Sequence, residues 1–381
     1  MNGGNKLYWR PSKVPGRLLF LLAAAALAAL VTVETFTSSE SSEYYEEMLS
    51  ASRVVQEAID HLRPIRGRIE PINPEVDPAR SGLIGVATSP ITSNAGHLEA
   101  KQATINPNWA AVAVRMLGEA GVEPGDSVAV AVSGSFPALN LAIYAAMQAL
   151  DVEPVIIVSG AASQWGANVP GFAWMDIARH LRDARIISFK AVSATLGGLE
   201  DRGVGLNDEG KRLIRQAAER AGIELTVPES YEASVAERIR IYKDESGEKP
   251  IAALINVGGG MATTGPASID HFFDSGVSRS APSGAFRIPS VMGHFLRQDV
   301  PVIHFSGIRN LATRYGLPYP PRQMPGLGSG GVYRAESYRR WLAGLMIVGL
   351  LALTGVVMRS ANIALAAEKR GQEGSSLKPK V

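Results

Sequence analysis

The stretch SVAVAVSGSFPALN, residues 127–140, decides the fold of this chain. Its first seven residues form a run of valine, alanine and serine, which is typical of a strand buried on both faces. A loop containing glycine and serine follows, then an apolar helix that continues to Leu150, and then a second such strand at residues 154–158. Two strands joined by a crossover helix in this way predict a parallel β-α-β unit.

The same alternation of strand and helix continues along the chain. One helix is predicted from about Asn108 to Gly121, and another from Leu206 to Gly222 with Asn207 as its N-cap. We therefore predict an α/β domain of three layers with a mainly parallel sheet. Further strands are predicted at residues 185–190, 223–227, 251–257 and 300–305, and a short apolar run lies at 83–87.

Composition restricts the classes of function that the chain can have. The chain has 381 residues, of which 46% are hydrophobic, and its formal net charge of +2 gives no electrostatic reason to bind nucleic acid. The absence of cysteine excludes disulfides, thiolate nucleophiles and cysteine-ligated metals. The six histidines show no metal-ligand spacing, and neither a P-loop nor an H-E-x-x-H motif occurs. We predict no metal and no cofactor.

Two apolar segments predict that the chain is a membrane protein. Residues 18–33 would form a helix of about 24 Å and residues 341–358 one of about 27 Å, close to the thickness of the hydrocarbon core. Basic side chains precede the first segment and acidic ones follow it, which places the N-terminus in the cytoplasm. Two spans return the C-terminus to the same side. The expected topology has both termini in the cytoplasm and the central domain outside.

The first apolar segment would also fit a cleaved signal peptide, although the residues after it offer no good A-x-A site. An amphipathic helix is predicted from Tyr44 to Leu62, and the four prolines in residues 63–78 predict that a linker or wrapped loop begins at Arg63. The predicted organisation is a cytoplasmic basic N-terminus (1–17), transmembrane helix 1 (18–36), an amphipathic helix and Pro-rich linker (37–80), an extracytoplasmic α/β domain (81–317), a Pro/Gly-rich hinge (318–340), transmembrane helix 2 (341–358) and a cytoplasmic tail (359–381).

Three polar loops follow predicted strands or apolar runs, at residues 133–140, 257–266 and 87–94, the last with His97 and Glu99 after it. Loops at the carboxyl ends of parallel strands meet in one crevice, so we expect these three to form one site. Their hydroxyl groups and glycine-rich backbone would suit an anionic or carbonyl ligand. The candidate ligand-binding residues are Ser93, His97, Ser133, Gly134, Ser135, Asn140, Gly258, Gly259, Gly260, Thr263 and Thr264.

Three roles are open for Ser135, namely ligand binding, capping of the following helix and nucleophilic attack. The hydrolase elbow is G-x-S-x-G, and Pro137 stands here in place of its second glycine. His97 and Glu99 could form an acid/base pair, whereas His304, in an apolar strand, is more typical of a satisfied core histidine. Arginines that could meet carboxylates concentrate late in the domain, at Arg279, Arg287, Arg297, Arg309, Arg314 and Arg322.

The order of these features resembles a family of bacterial membrane proteins called poly-gamma-glutamate system protein. The resemblance rests on the basic N-terminus and first span, S-G-S-F-P-A-L-N at 133–140, L-I-N-V-G-G-G at 254–260, V-P-V-I-H at 300–304, the Gly-rich segment and the terminal span. It implies a role in making or exporting this polycarboxylate capsule polymer, and it carries over no catalytic residue.

The leading hypothesis is therefore an anchored accessory protein that binds the nascent polymer or the membrane synthase complex. The alternative is a hydrolase or transferase that acts on the γ-amide bonds of the polymer, through Ser135 or the His97/Glu99 pair. A solute sensor is less favoured, because a tail of 23 residues cannot hold a signalling domain. Membrane lipid is the other expected partner, and assembly of identical copies is left open by the sequence.

Overall fold

The computed structural model describes residues 16–258, 260–321 and 323–376. The chain divides into two compact units: Ser42–Tyr333, and a second unit made of Met1–Ser41 with Arg334–Val381. Predictions that fall on residues 1–15, Gly259, Arg322 and 377–381 lie outside the described residues.

Helices and strands alternate through most of the described chain. The helices are α1 (Gly16–Thr35), α2 (Tyr45–Ile69), α3 (Leu98–Thr104), α4 (Trp109–Ala120), α5 (Pro137–Ala149), α6 (Trp174–Asp183), α7 (Asp208–Ala221), α8 (Tyr231–Ser246), α9 (Met261–Thr264), α10 (Val291–Arg297), α11 (Ile308–Arg314) and α12 (Arg340–Ser376). The strands are β1 (Thr37–Ser41), β2 (Thr92–Asn94), β3 (Ser127–Ser133), β4 (Glu153–Ser159), β5 (Ala162–Ser163), β6 (Asn168–Val169), β7 (Phe172–Ala173), β8 (Ser193–Thr195), β9 (Leu225–Thr226), β10 (Ile251–Val257), β11 (Gly276–Ser278), β12 (Val302–Phe305) and β13 (Arg334–Tyr338).

A seven-stranded sheet forms the centre of the unit Ser42–Tyr333. Its strand order is β11-β12-β10-β3-β4-β8-β9. Every neighbouring pair is parallel except the edge pair of β11 with β12. The mixed α/β class with a mainly parallel sheet is thus confirmed, and the stretch that opened the sequence analysis supplies its central strand, β3, and the helix α5.

Helices pack on both faces of this sheet. Alternate residues of β3 point to opposite faces, as strand geometry requires, so Val130 joins one buried cluster and Ala129 joins the other. The larger cluster contains residues of α2, α4, α5, α6, α7 and α11. The smaller contains residues of α8, α9 and α10. Both faces of β3 are buried, which accounts for its unbroken run of small and β-branched side chains.

The prediction that a linker or wrapped loop begins at Arg63 is wrong, because α2 continues through Pro64 to Ile69. Proline in a helix removes one backbone hydrogen bond and crowds the preceding turn. Leu62 and Arg66, on either side of the proline, are both buried. Their packing on the domain offsets the lost hydrogen bond and holds the helix together past the proline.

The strand predicted at residues 185–190 is also wrong. The segment 185–190 turns back on α6, since the amides of Ile186 and Ile187 both donate to the carbonyl of Leu181, and the strand forms later as β8. The run 83–87 is held outside the sheet by the Asn168 side chain, whose Oδ1 accepts from the amide of Val86 and whose Nδ2 donates to the carbonyl of Val86. Side-chain amides can replace a strand partner in this way, and no sequence period reveals it.

The second unit contains α1, α12 and the antiparallel pair β1–β13, in which Thr37 is opposite Tyr338 and Ser41 is opposite Arg334. By length and composition, Gly16–Thr35 and Arg340–Ser360 could each cross a membrane. Large apolar side chains of both helices are exposed, including Phe20 at 77% and Leu351 at 67%. Length and composition do not determine the direction in which either helix would insert.

Candidate functional site

The strand order changes direction beside β3, because the chain first adds β4 on one side of it and later β10 on the other. Ligands of open α/β sheets bind at such a switch point, outside the carboxyl ends of the strands. A cavity of about 800 Å³ lies at this place. Its lining includes the carboxyl-terminal residues Ser133 of β3, Ser159 of β4, Asn256 of β10 and His304 of β12.

The structure brings together most of the candidates that the sequence predicted. Ser133 and Ser135 from the first loop, Gly258, Gly260 and Thr264 from the second, and Ser93 from the third line the cavity. Ser93 reaches it although residues 83–87 are not a strand, because β2 pairs in parallel with β5 beside the main sheet. The convergence of the three loops therefore agrees with the rule for carboxyl ends of strands.

Four other described candidates, Gly134, Asn140, Thr263 and His97, are not lining residues of the cavity. Asn140 and Gly134 hold the first loop in place from behind the lining. Asn140 is fully buried and donates through Nδ2 to the Ser133 carbonyl over 2.7 Å. A Cβ at Gly134 would lie 2.8 Å from the Cβ of Ala162, so glycine is required there for close backbone packing. Thr263 is buried in α9, and His97 is the N-cap residue of α3.

One hydrogen bond joins the first two loops across the switch point. The Ser133 hydroxyl donates to the Gly258 carbonyl over 2.9 Å, and the Ser133 Oγ accepts from the Ser135 amide at 3.2 Å. Gly258 has a φ of +55°, and a Cβ there would lie 3.2 Å from the Ser133 Oγ. Glycine at 258 is thus required both by its left-handed backbone and by the closeness of the two loops.

Asn256 and His304 form a buried polar pair in the floor of the cavity. They are opposite each other in the register of β10 and β12, and the Asn256 Nδ2 lies 2.9 Å from the His304 Nδ1. An amide nitrogen is a donor, so Nδ1 accepts and the imidazole is neutral. Burial lowers the pKa of His304 to about 4, in agreement with a neutral ring. The apolar strand around His304 predicts a core residue, and no sequence motif singles out Asn256.

A buried lysine joins the first loop to the segment after β4. Lys101 donates to the carbonyl of Ser135 and, over 2.9 Å, to the hydroxyl of Ser163, and its Nζ lies 3.4 Å from the ring centre of Phe136. The amide of Ser163 in turn donates to the Oγ of Ser135 over 3.1 Å. Burial lowers the pKa of Lys101 to about 7. Lys101 of α3 therefore contacts the loop at residues 133–140 directly.

A buried ion pair holds the glycine-rich loop that follows β8. The Asp201 carboxylate is fully buried, accepts from Arg238 Nε over 2.6 Å, and accepts from the hydroxyls of Ser159 and Thr195. Asp201 itself has a φ of +63°. Because Ser159 lines the cavity, this cluster fixes one side of the site.

The charge of the cavity differs from the sequence expectation. No described lysine or arginine is among its lining residues, whereas the acid Asp270 is. Arg309 pairs instead with Glu99 at 3.2 Å, and Arg314 donates to the carbonyl of Ser275. The described chain also contains no group of three or more histidine or acidic side chains that could hold a metal ion. The lining combines apolar side chains such as Phe136, Phe273 and Ile308 with polar groups that, apart from Asp270, are uncharged hydroxyl, amide and imidazole groups.

Comparison of the whole chain with known proteins adds no functional assignment. No protein-family model, curated protein or solved structure matches it.

Proposed function

We propose that this protein is a membrane-anchored accessory protein of poly-γ-glutamate synthesis or export, and that the unit Ser42–Tyr333 binds the polymer or the synthase complex. The observation that carries the proposal is the cavity of about 800 Å³ at the switch point of the sheet. Its volume lies within the range of about 300–1,000 Å³ that small-molecule sites occupy, so it would take a short segment of a chain. The resemblance of the sequence supplies the identity of the polymer.

Two apolar helices with exposed side chains support the membrane anchor. The basic residues before α1 and the acidic residues after it favour a cytoplasmic N-terminus, so the α/β unit would face outward from a bacterial cytoplasmic membrane. Poly-γ-glutamate is made at that membrane and released outward, where such a unit would meet it.

The experiment measures binding of poly-γ-glutamate to the full-length protein in detergent and the length of the polymer in the same samples. Thr264→Trp would place a bulky side chain in the lining, and Thr313→Trp on the exposed face of α11 is the matched control. Binding that Thr264→Trp abolishes and Thr313→Trp retains, with unchanged polymer length, is the expected result. Binding by neither wild type nor control would contradict polymer binding.

The alternative function is a hydrolase or transferase that acts on the γ-amide bonds. The observation that favours it is the position of Lys101 beside the serine loop, where its Nζ donates to the Ser135 carbonyl, since a lysine whose pKa is about 7 can accept a proton at neutral pH. In that reaction the Ser135 hydroxyl would attack the amide carbonyl, the amine would leave with a proton, and water would hydrolyse the ester. His97 lies outside the lining and Glu99 pairs with Arg309, so the His97/Glu99 version has less support.

Shortening of the polymer by wild type, and its loss in Ser135→Ala, would establish this alternative. Ser188→Ala is the control, because Ser188 is exposed and lies far along the chain from the loop at residues 133–140.

A further inference from the structure

The floor of the cavity contains an acceptor that has no partner. Asn256 is fully buried, and its Oδ1 has no hydrogen-bond partner among the described residues. Leaving a buried carbonyl oxygen unpaired is costly, so such atoms in native proteins commonly await a ligand or water. Asn256 lines the cavity, which identifies where that partner would come from.

The neighbouring histidine supplies a donor. Because the His304 Nδ1 accepts from Asn256, the single ring proton of the neutral imidazole is on Nε2. His304 also lines the cavity. The pair therefore combines one free acceptor, the Asn256 Oδ1, with one donor, the His304 Nε2–H.

An amide group has the complementary chemistry, with one N–H donor and one C=O acceptor. A carboxylate has no proton to offer to Asn256 Oδ1, and its transfer into a buried site without a cationic partner is strongly unfavourable. The described lining holds no lysine or arginine that would offset this cost, and it includes Asp270, which would repel an anion.

We infer that the cavity recognises the uncharged amide linkage of its ligand through Asn256 and His304, while the carboxylates of the ligand stay in solvent. This inference rests on the proposed function, since it states which part of poly-γ-glutamate the cavity contacts. Asn256 and His304 are then specificity-determining residues, and the lining adds the uncharged hydroxyls of Ser133, Ser135 and Thr264.

Three polymers separate the two kinds of recognition in the full-length wild-type protein in detergent. Poly-γ-glutamate carries amides and carboxylates, its methyl ester carries the amide linkages without the charges, and polyacrylate carries carboxylates without amides. We expect the first two to bind within about threefold of each other and polyacrylate to bind at least about tenfold more weakly, the ratio that a lost buried hydrogen bond produces.

Equal binding of polyacrylate and poly-γ-glutamate, or a loss of tenfold or more on esterification, would overturn the inference and leave the proposed function standing. Binding of none of the three polymers would overturn the proposed function and this inference with it. The comparison uses wild-type protein, so its outcome does not depend on the folding of a variant.

Asn256→Asp tests the residue itself, because it replaces the donor to His304 by a carboxylate oxygen. We expect it to weaken the binding of both poly-γ-glutamate and its ester by at least about tenfold. Asn310→Asp makes the same change at an exposed position of α11 and should leave both affinities unchanged. Equal affinities of Asn256→Asp and wild type, with a folded variant by circular dichroism, would contradict the role of Asn256.

Discussion

The Ser133 hydroxyl donates to the carbonyl of Gly258 over 2.9 Å, and this bond joins the ends of β3 and β10 at the point where the strand order changes direction. The same Ser133 oxygen accepts from the Ser135 amide. One hydroxyl therefore holds the two loops that the sequence predicted as a joint site, and it leaves little freedom for either loop to move alone.

We expect Ser133→Ala to lower the free energy of unfolding by about 1–3 kcal/mol, because the Gly258 carbonyl and the Ser135 amide both lose their partner. Affinity for poly-γ-glutamate should fall as well, since both loops line the cavity. Urea denaturation of the full-length protein in detergent measures the first effect. The exposed Ser188→Ala should change stability by less than about 0.5 kcal/mol, and an equal loss there would refute the assignment.

Asp201→Asn should be among the most destabilising single changes in the α/β unit. It would leave Arg238, which is 2% exposed, as a buried cation without its counter-charge, at a cost of about 3–5 kcal/mol. Asp183→Asn removes the partner of Arg179 in a largely exposed pair and should cost less than about 0.5 kcal/mol. Comparable urea midpoints for the two variants would show that the Asp201 cluster does not hold the loop.

Acidification should destabilise the protein through His304. Between pH 6.5 and pH 4 the unfolded state binds a proton at this residue and the folded state does not, so folding stability falls as the pH is lowered through this window. The full loss is about 3 kcal/mol at pH 4. The measurement is the free energy of unfolding of wild type against His304→Gln across this range. Parallel curves for the two proteins would contradict a lowered pKa of His304.

Titration of Lys101 should also make the folding stability rise with pH, but in a higher pH range. Between pH 7 and pH 10.5 the unfolded chain keeps the lysine proton that the folded protein has released, so raising the pH stabilises the fold. Between pH 7 and pH 9 wild type should gain up to about 3 kcal/mol relative to Lys101→Met, which cannot titrate. A difference between the two that stays constant over this range would exclude titration of Lys101.

The sequence predicted the parts of the fold that depend on local pattern. The run at β3, the helix α5 and the cap at Asn207, whose side chain accepts from Gly210, all follow from neighbours in the chain. The continuation of α2 through Pro64 depends instead on burial against distant residues. Likewise the run 83–87 is held by Asn168, a side chain far along the sequence.

The candidate site divides in the same way. Polar residues in loops after strands, such as Ser133 and Ser135, stood out against the apolar run before them. Asn256 and His304 lie inside apolar strands, and only the parallel register of β10 and β12 makes them neighbours. Applying the carboxyl-end rule to the last two residues of the predicted strands 251–257 and 300–305 would have found both of them.

The pairing of β1 with β13 also bears on how the protein assembles. Ser41 is opposite Arg334, and the amide of Ser42 donates to the carbonyl of Tyr333, so the whole α/β unit is an insertion between two neighbouring points of the chain. Closing so long a loop in an unfolded chain carries an entropic cost, which folding of the inserted unit meets before the short ribbon pairs. The antiparallel pair of β1 and β13 should therefore form last, after the inserted unit has folded and brought its own two ends together.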